Sequence, residues 1–140
     1  MLTIKREIKV LMVLTEAARQ KLNAELYSLQ KRYELELEQL DFQAKKLLYE
    51  AQRKGRDAIA IVERRLSQEK TAREEKLAEI AVRLEHIASL ADGSEIPYTT
   101  VQSDVEIRVG DCFDELMNGA EIVLVDGIVA EIRKGGKRGE

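Results

Sequence analysis

The sequence predicts an α+β protein in which a long antiparallel helical hairpin is joined to a small antiparallel β module. Three observations lead to this fold class. Apolar residues recur at a helical spacing from about residue 16 to residue 91, a stretch without proline. Residues 2–10 alternate between apolar and polar side chains, as in a half-buried strand. Asp126 and Gly127 stand between two apolar runs, a pattern typical of a tight β-hairpin.

Composition limits the size of any single core. Of the 140 residues, 4% are aromatic and 35% are charged, which favours narrow apolar seams over a large interior. Cys112 and His86 are the only cysteine and histidine, so one chain offers neither a disulfide nor a His/Cys metal cluster. The longest apolar run, residues 10–14, is much shorter than the roughly 20 residues of a membrane span. We therefore expect a cytoplasmic protein without cofactor, metal, leader or membrane segment.

Residues 1–14 are predicted to form a strand that completes the C-terminal sheet. Leu2, Ile4 and Ile8 share one parity of the alternation, whereas the residues between them are polar. Thr15 follows, and its hydroxyl can cap a helix that starts at Glu16. The favourable position of Glu16 near the positive end of the helix dipole supports this start.

Residues 15–92 are predicted to form a helical coiled coil that turns near Gly55. Its apolar positions follow a spacing of eleven residues per three turns, which gives a nearly straight seam. This seam comprises residues 22, 26, 29, 33, 37, 40, 44, 48, 51, 55, 59, 62, 66, 77, 81 and 84. In a hairpin, Leu22 should lie near Ala88 and Leu26 near Leu84.

The glycine at position 55 leaves two arrangements open. Gly55 divides the helical stretch into nearly equal halves, which favours a hairpin with arms of about 55 Å. A glycine inside a helix costs only about 1 kcal/mol, so a continuous rod paired with a second antiparallel chain is the alternative. Residues 45–65 carry seven bases and three acids, a net +4. Two rods crossing at their centres would stack both positive zones, so we predict the hairpin.

Residues 93–133 are predicted to form the β module. Gly93 is placed for a left-handed helix cap, and Pro97 prevents the helix from resuming. Residues 104–109 alternate as a strand, and residues 121–133 form the hairpin that turns at Asp126 and Gly127. The tail, residues 134–140, is expected to be disordered.

The order of these parts resembles a known protein family. A strand passes through VLTEAARQKL into a long charged helix, and VEIRVGDCFDELMNGAEIVLVDGIVAEIR closes the chain. In this order, and over nearly its whole length, the chain is similar to the YlqD family of uncharacterised bacterial proteins. The resemblance implies no catalytic residue.

Several clusters of residues are candidate functional sites. Asp111, Asp114 and Glu115 could attract Mg²⁺ or Ca²⁺, but a capped turn with solvated carboxylates explains them as well. No spacing typical of a nucleophile, a phosphate loop or a Rossmann motif is present, so we do not expect an enzyme. A basic zone at the hairpin turn could bind nucleic acid, RNA included, through phosphates: it comprises Lys45, Lys46, Arg53, Lys54, Arg56, Arg64 and Arg65.

The first arm of the hairpin also carries apolar residues that its partner arm cannot cover. The opposing stretch, residues 67–76, has Ala72 as its one apolar side chain. The uncovered residues are Leu35, Leu37, Leu40 and Phe42. We expect them to form the interface of a homo-oligomer, either a dimer or a tetramer. The sequence thus predicts a non-catalytic coiled-coil scaffold that binds itself and an unidentified protein partner, with nucleic-acid binding as the alternative.

Overall fold

The computed structural model describes residues 1–134 and contains four strands and three helices within that range. In chain order these are β1 (Leu2–Val13), α1 (Glu16–Lys54), α2 (Arg56–Ser89), β2 (Glu95–Ile107), α3 (Phe113–Met117), β3 (Glu121–Val125) and β4 (Ile128–Arg133). The predicted disordered tail lies outside the described residues except for Lys134, which forms a β bridge. The chain divides into two compact units, Met1–Gln20 with the chain from Leu90 onward, and Lys21–Ser89.

The unit Lys21–Ser89 is a helical hairpin in one chain, as predicted. Leu26 of α1 and Ile80 and Ile87 of α2 are buried together, with Leu22, Tyr33 and Leu84 packed against them. Farther along the hairpin, Arg73 Nε lies 3.5 Å from Glu36 Oε1. Residues early in α1 therefore face residues late in α2, which makes the helices antiparallel.

Near the end of α2 the apolar seam differs from the predicted one. The prediction turned Ala81 and Ala88 inward, but both are exposed, whereas Ile80 and Ile87 are buried. An isoleucine removes more apolar surface from water than an alanine, so the helix presents its isoleucines to α1. The predicted seam is therefore wrong at Ala81 and Ala88, and the eleven-residue spacing is not maintained in this part of α2.

The other unit contains a four-stranded sheet of order β2-β1-β3-β4. β1 pairs antiparallel with β2 from Leu2 opposite Ile107 to Val13 opposite Glu95. The N-terminal strand thus joins the C-terminal strands, as predicted. The sheet is mixed, however, because β1 pairs parallel with β3, while β3 and β4 are antiparallel. The predicted all-antiparallel sheet is wrong at the β1–β3 pair. β2 runs opposite to β1 and ends beside its start, and β3 then runs along the other edge of β1 in the same direction as β1.

Two predicted features at the start of β2 need correction. The strand begins at Glu95, nine residues before the predicted position 104. Gly93 has a positive φ of 89°, but it lies in a turn beyond the end of α2 at Ser89, and its N–H donates to the Leu14 carbonyl at 2.9 Å. Pro97 lies within β2, an edge strand, where its missing N–H is tolerated beside a bulge.

The start of α1 and the β3–β4 turn follow the sequence pattern. Thr15 Oγ1 accepts a hydrogen bond from the Ala18 N–H at 3.1 Å, which is the expected cap. The same hydroxyl donates to Asp126 Oδ1 at 2.6 Å. Asp126 and Gly127 have φ values of 50° and 83°, as a two-residue hairpin turn requires. One threonine thereby connects the helix start to the hairpin turn.

Candidate functional site

The hairpin turn is made by a single residue, Gly55, between Lys54 and Arg56. Its backbone φ of 119° is an angle that residues with a side chain rarely adopt. A Cβ added at Gly55 would meet no atom within 4 Å, so backbone conformation and not space is what requires glycine. The turn therefore places the end of α1 and the start of α2 next to each other.

The predicted basic residues lie on the helical segments that lead into and out of this turn. All seven are exposed: Lys45, Lys46, Arg53, Lys54, Arg56, Arg64 and Arg65. We call this set the basic tip. Arg53 and Lys54 also occupy the last turn of α1, where cations offset the negative end of the helix dipole.

Aromatic rings accompany two of these cations, a feature that was missed in the sequence. Lys46 Nζ lies 5.7 Å from the centre of the Phe42 ring, and the Arg53 guanidinium lies 5.7 Å from that of Tyr49. Each ring stands four residues before its cation, a spacing that brings side chains together on a helix. This four-residue spacing in the sequence could have identified the ring–cation pairs. The basic tip can therefore offer ring faces as well as positive charge.

A stripe of exposed apolar side chains runs along α1. Leu35, Phe42 and Tyr49 are each more than half exposed and are spaced seven residues apart, so they lie on one side of the helix. We call these three residues the α1 stripe. Of the predicted interface residues, Leu35 and Phe42 belong to it, whereas Leu37 is half-buried. Leu40 is only 7% exposed, so its side chain is packed within the chain and cannot serve a second copy as predicted.

One face of the sheet is apolar across all four strands. Residues paired across strands point to the same side, so the register defines the members of each face. The apolar sheet face carries the polar Thr99 and Ser103 on β2, and its apolar members are Leu2, Ile4, Ile8, Val10, Met12, Ile96, Val101, Val105, Ile107, Ile122, Leu124, Val129 and Ile132. Arg6 projects from the same face and donates from its guanidinium to the Leu116 carbonyl at 2.6 Å, which holds α3 against the sheet.

This short helix leaves part of the apolar sheet face uncovered. Leu2, Val101, Val129 and Ile132 remain between 42% and 60% exposed. α3 has five residues, so it can cover only a small part of a face that spans four strands. The remaining surface is the kind of apolar patch that marks an interaction site.

The opposite face of the sheet holds a cluster of charges around Arg133. Its guanidinium lies 2.6 Å from Glu95 Oε2, 3.3 Å from Glu121 Oε1 and 3.2 Å from Glu131 Oε2, and its side chain is 11% exposed. Hydrogen bonds to Glu95, and then to Glu131, raise the pKa of Arg133 above its ordinary value. The guanidinium thus stays charged at every pH near neutrality. The cluster ties β4 to β3 and β2 and is best explained as structural.

The carboxylates considered for metal binding do not form a metal site in the part of the chain that is described. Within residues 1–134, no group of three His, Cys, Asp or Glu side chains could hold a metal ion. Asp111 accepts a hydrogen bond from the Arg108 N–H at 2.8 Å, while Asp114 and Glu115 are exposed. No helix among the described residues is long and apolar enough to cross a membrane.

Comparison with known proteins agrees with the fold. The family model described as YlqD protein matches residues 2–133. The chain belongs to the YlqD family. A search of curated proteins found no match to this YlqD chain. Its fold is similar to that of a protein of unknown function from Synechococcus sp. WH 8102, known from a crystal structure. The TM-score is 0.80 at 22% identity over 94% of the YlqD chain and 93% of the other, and this likeness concerns the fold alone.

Proposed function

We propose that this protein is a non-catalytic interaction protein that works as a homo-oligomer. The observation that carries the proposal is the uncovered part of the apolar sheet face. A sheet normally buries its apolar face against a second layer. Here α3 supplies only five residues of that layer, so a second copy of the chain is the proposed cover.

The exposed area is consistent with such an assembly. The chain exposes 10665 Å² of surface, whereas a compact monomer of its mass would expose about 7,400 Å². A standard interface buries roughly 800 Å² on each partner, which is a small share of this surface. Two apolar sheet faces packed on each other would form a sandwich with an interior about 10 Å thick.

A second copy is favoured over an unlike partner because the exposed members of the face carry no charge. Val129 and Ile132 lie on β4 and Val101 lies on β2, so the exposed apolar side chains reach both edges of the sheet. A face whose exposed members are uncharged is complementary to itself and needs no matching pattern on another protein. A scaffold that joins its own β modules follows from this pairing.

Light scattering at several protein concentrations tests the proposal. The unchanged protein should have the mass of a dimer or a tetramer, and Val129→Ser with Ile132→Ser should shift it toward one chain. Ile128→Ser is the matched control, because Ile128 lies on β4 and is 73% exposed but points to the opposite face. Circular dichroism should show unchanged helix content in both variants. An unchanged protein with the mass of one chain at micromolar concentration would contradict the proposal.

A second candidate function, nucleic-acid binding, is favoured by one observation at the basic tip. Phe42 and Tyr49 expose ring faces next to Lys46 and Arg53. Rings beside cations can stack on bases while the cations contact phosphates, which suits single-stranded RNA or DNA. Both interactions are sequence-tolerant, and the phosphate contacts weaken as salt is raised.

Retention on heparin and binding of a labelled single-stranded RNA measure this second function. Replacing Arg53, Lys54 and Arg56 with glutamine should reduce both. The control replaces three exposed lysines outside the basic tip with glutamine: Lys21, Lys31 and Lys70. Equal loss in both triple variants would show an effect of net charge alone, and no binding by the unchanged protein would remove this candidate.

A further inference from the structure

We infer that the α1 stripe is a second self-interface, in which α1 of one copy packs antiparallel on α1 of another around a two-fold axis at Phe42. The inference rests on the proposed homo-oligomer and names a different contact within it. A second self-interface in addition to the apolar sheet face would allow association beyond a dimer.

The spacing of the α1 stripe is symmetric about Phe42. Leu35 precedes Phe42 by seven residues and Tyr49 follows it by seven, which is about 10.5 Å along the helix in each direction. A two-fold axis at Phe42 therefore brings each Leu35 beside Tyr49 of the second copy. The two Phe42 rings meet at the axis, where an aromatic pair is favourable.

The charges beside the α1 stripe fit the same axis. Glu38 and Lys46 lie four residues before and after Phe42, and both are exposed. The axis brings Glu38 of each copy toward Lys46 of the other, which gives two equivalent ion pairs. Lys46 already lies beside the Phe42 ring, so it borders the centre of the proposed contact.

Other registers of the same stripe are less favourable. An axis midway between Leu35 and Phe42 places Lys46 opposite Lys31 of the second copy. An axis midway between Phe42 and Tyr49 places Lys46 opposite Lys45. The axis at Phe42 also brings Lys31 toward Arg53, but about 16 Å from the centre, where solvent and salt weaken the repulsion between exposed charges. The axis at Phe42 pairs Glu38 with Lys46 about 6 Å from the centre, whereas the nearest opposite pair about the axis midway between Phe42 and Tyr49, Glu38 with Arg53, lies about 11 Å away.

Exchanging the charges of Glu38 and Lys46 tests the inference, because the double variant has the net charge of the unchanged protein. Glu38→Lys alone and Lys46→Glu alone should each weaken self-association through α1 by roughly 30-fold, because each places like charges together at two positions. The double variant should restore association. An equimolar mixture of the two single variants should form mixed pairs, since the lysine at position 38 of one then meets the glutamate at position 46 of the other.

Sedimentation velocity, with circular dichroism as a check of folding, distinguishes the outcomes. Weakened single variants with a restored double variant support the α1 contact. Single variants that associate as the unchanged protein does would overturn it while leaving the homo-oligomer in place, whereas a monomeric unchanged protein would overturn both. If Lys46→Glu lowers RNA binding and the double variant restores no association, the α1 stripe serves nucleic acid and the inference is wrong.

Discussion

Replacing Gly55 with alanine should shift the protein from a hairpin toward swapped rods. Gly55 has a φ of 119° and no atom lies near an added Cβ, so the cost of the substitution in the hairpin is backbone strain alone. Such strain costs about 1–3 kcal/mol. In an uninterrupted helix, alanine is instead favoured over glycine by about 1 kcal/mol. The combined shift of about 2–4 kcal/mol changes the ratio of the two forms roughly 30- to 700-fold.

Spin-label distances measure this shift directly. Labels at positions 34 and 75, introduced at exposed Glu34 and Glu75 with the exposed Cys112 replaced by serine, lie on opposite arms of the hairpin. One labelled chain diluted in unlabelled protein should give a distance below about 25 Å in the hairpin, since packed helices lie 8–10 Å apart. A continuous helix would separate the same labels by about 60 Å.

The matched control is Gly93→Ala. Gly93 also has a positive φ, 89°, and open space around an added Cβ, so alanine there introduces similar strain without joining two helices. We expect Gly93→Ala to lower stability but to leave the distance short. If Gly55→Ala leaves both the distance and the stability unchanged, the conformation of Gly55 does not determine the hairpin.

Three further substitutions test the described contacts in urea unfolding. Thr15→Val removes both the cap to the Ala18 N–H and the hydrogen bond to Asp126, and should lower the free energy of unfolding by about 1–2 kcal/mol; an unchanged midpoint would contradict this role. Arg133→Gln leaves three carboxylates without their shared cation, so the midpoint should fall, and fall more at low salt than at high salt. Gly127→Ala should cost about 1–2 kcal/mol, because alanine is strained at a φ of 83°; equal stability would show that the turn rearranges freely.

The helical hairpin and the β3–β4 turn could be predicted because single residues impose local constraints. A glycine at position 55 permits a reversal that other residues resist, and Asp126 with Gly127 matches one turn type. Alternation in residues 2–10 likewise predicted a strand. None of these signals depends on which strands become neighbours.

Strand direction and helix facing were harder to predict because they depend on tertiary packing. Alternation identifies the inner side of β1 but does not distinguish a parallel neighbour from an antiparallel one, so the β1–β3 pair was missed. On α2, Ile80 and Ala81 are adjacent, and either could have belonged to the seam. Packing against Leu26 selected the isoleucine.

The candidate site was predicted only in part, because burial and side-chain contacts also depend on tertiary packing. Charge clustering identified the basic tip, whose residues are all exposed, since charged side chains are rarely buried. It did not identify the rings of Phe42 and Tyr49 beside Lys46 and Arg53. Leu40 was assigned to the interface because its opposite stretch is polar, but Glu69 and Arg73 in that stretch are half-buried. Long charged side chains can cover apolar surface with their aliphatic portions.

The central position of β1 in the sheet has a consequence for folding during synthesis on the ribosome. Leu2 pairs with Ile107, and the other edge of β1 pairs with β3, which begins at Glu121. At about 5–20 residues per second, the nascent N-terminal strand waits on the order of 5–20 s before its last partners are synthesised. During translation the backbone N–H and C=O groups along both edges of β1 lack their strand partners, while α1 and α2 can already pack against each other. The slow, long-range pairing of β1 with β2 and β3 is therefore the folding step at which a chaperone would protect the most exposed strand edge.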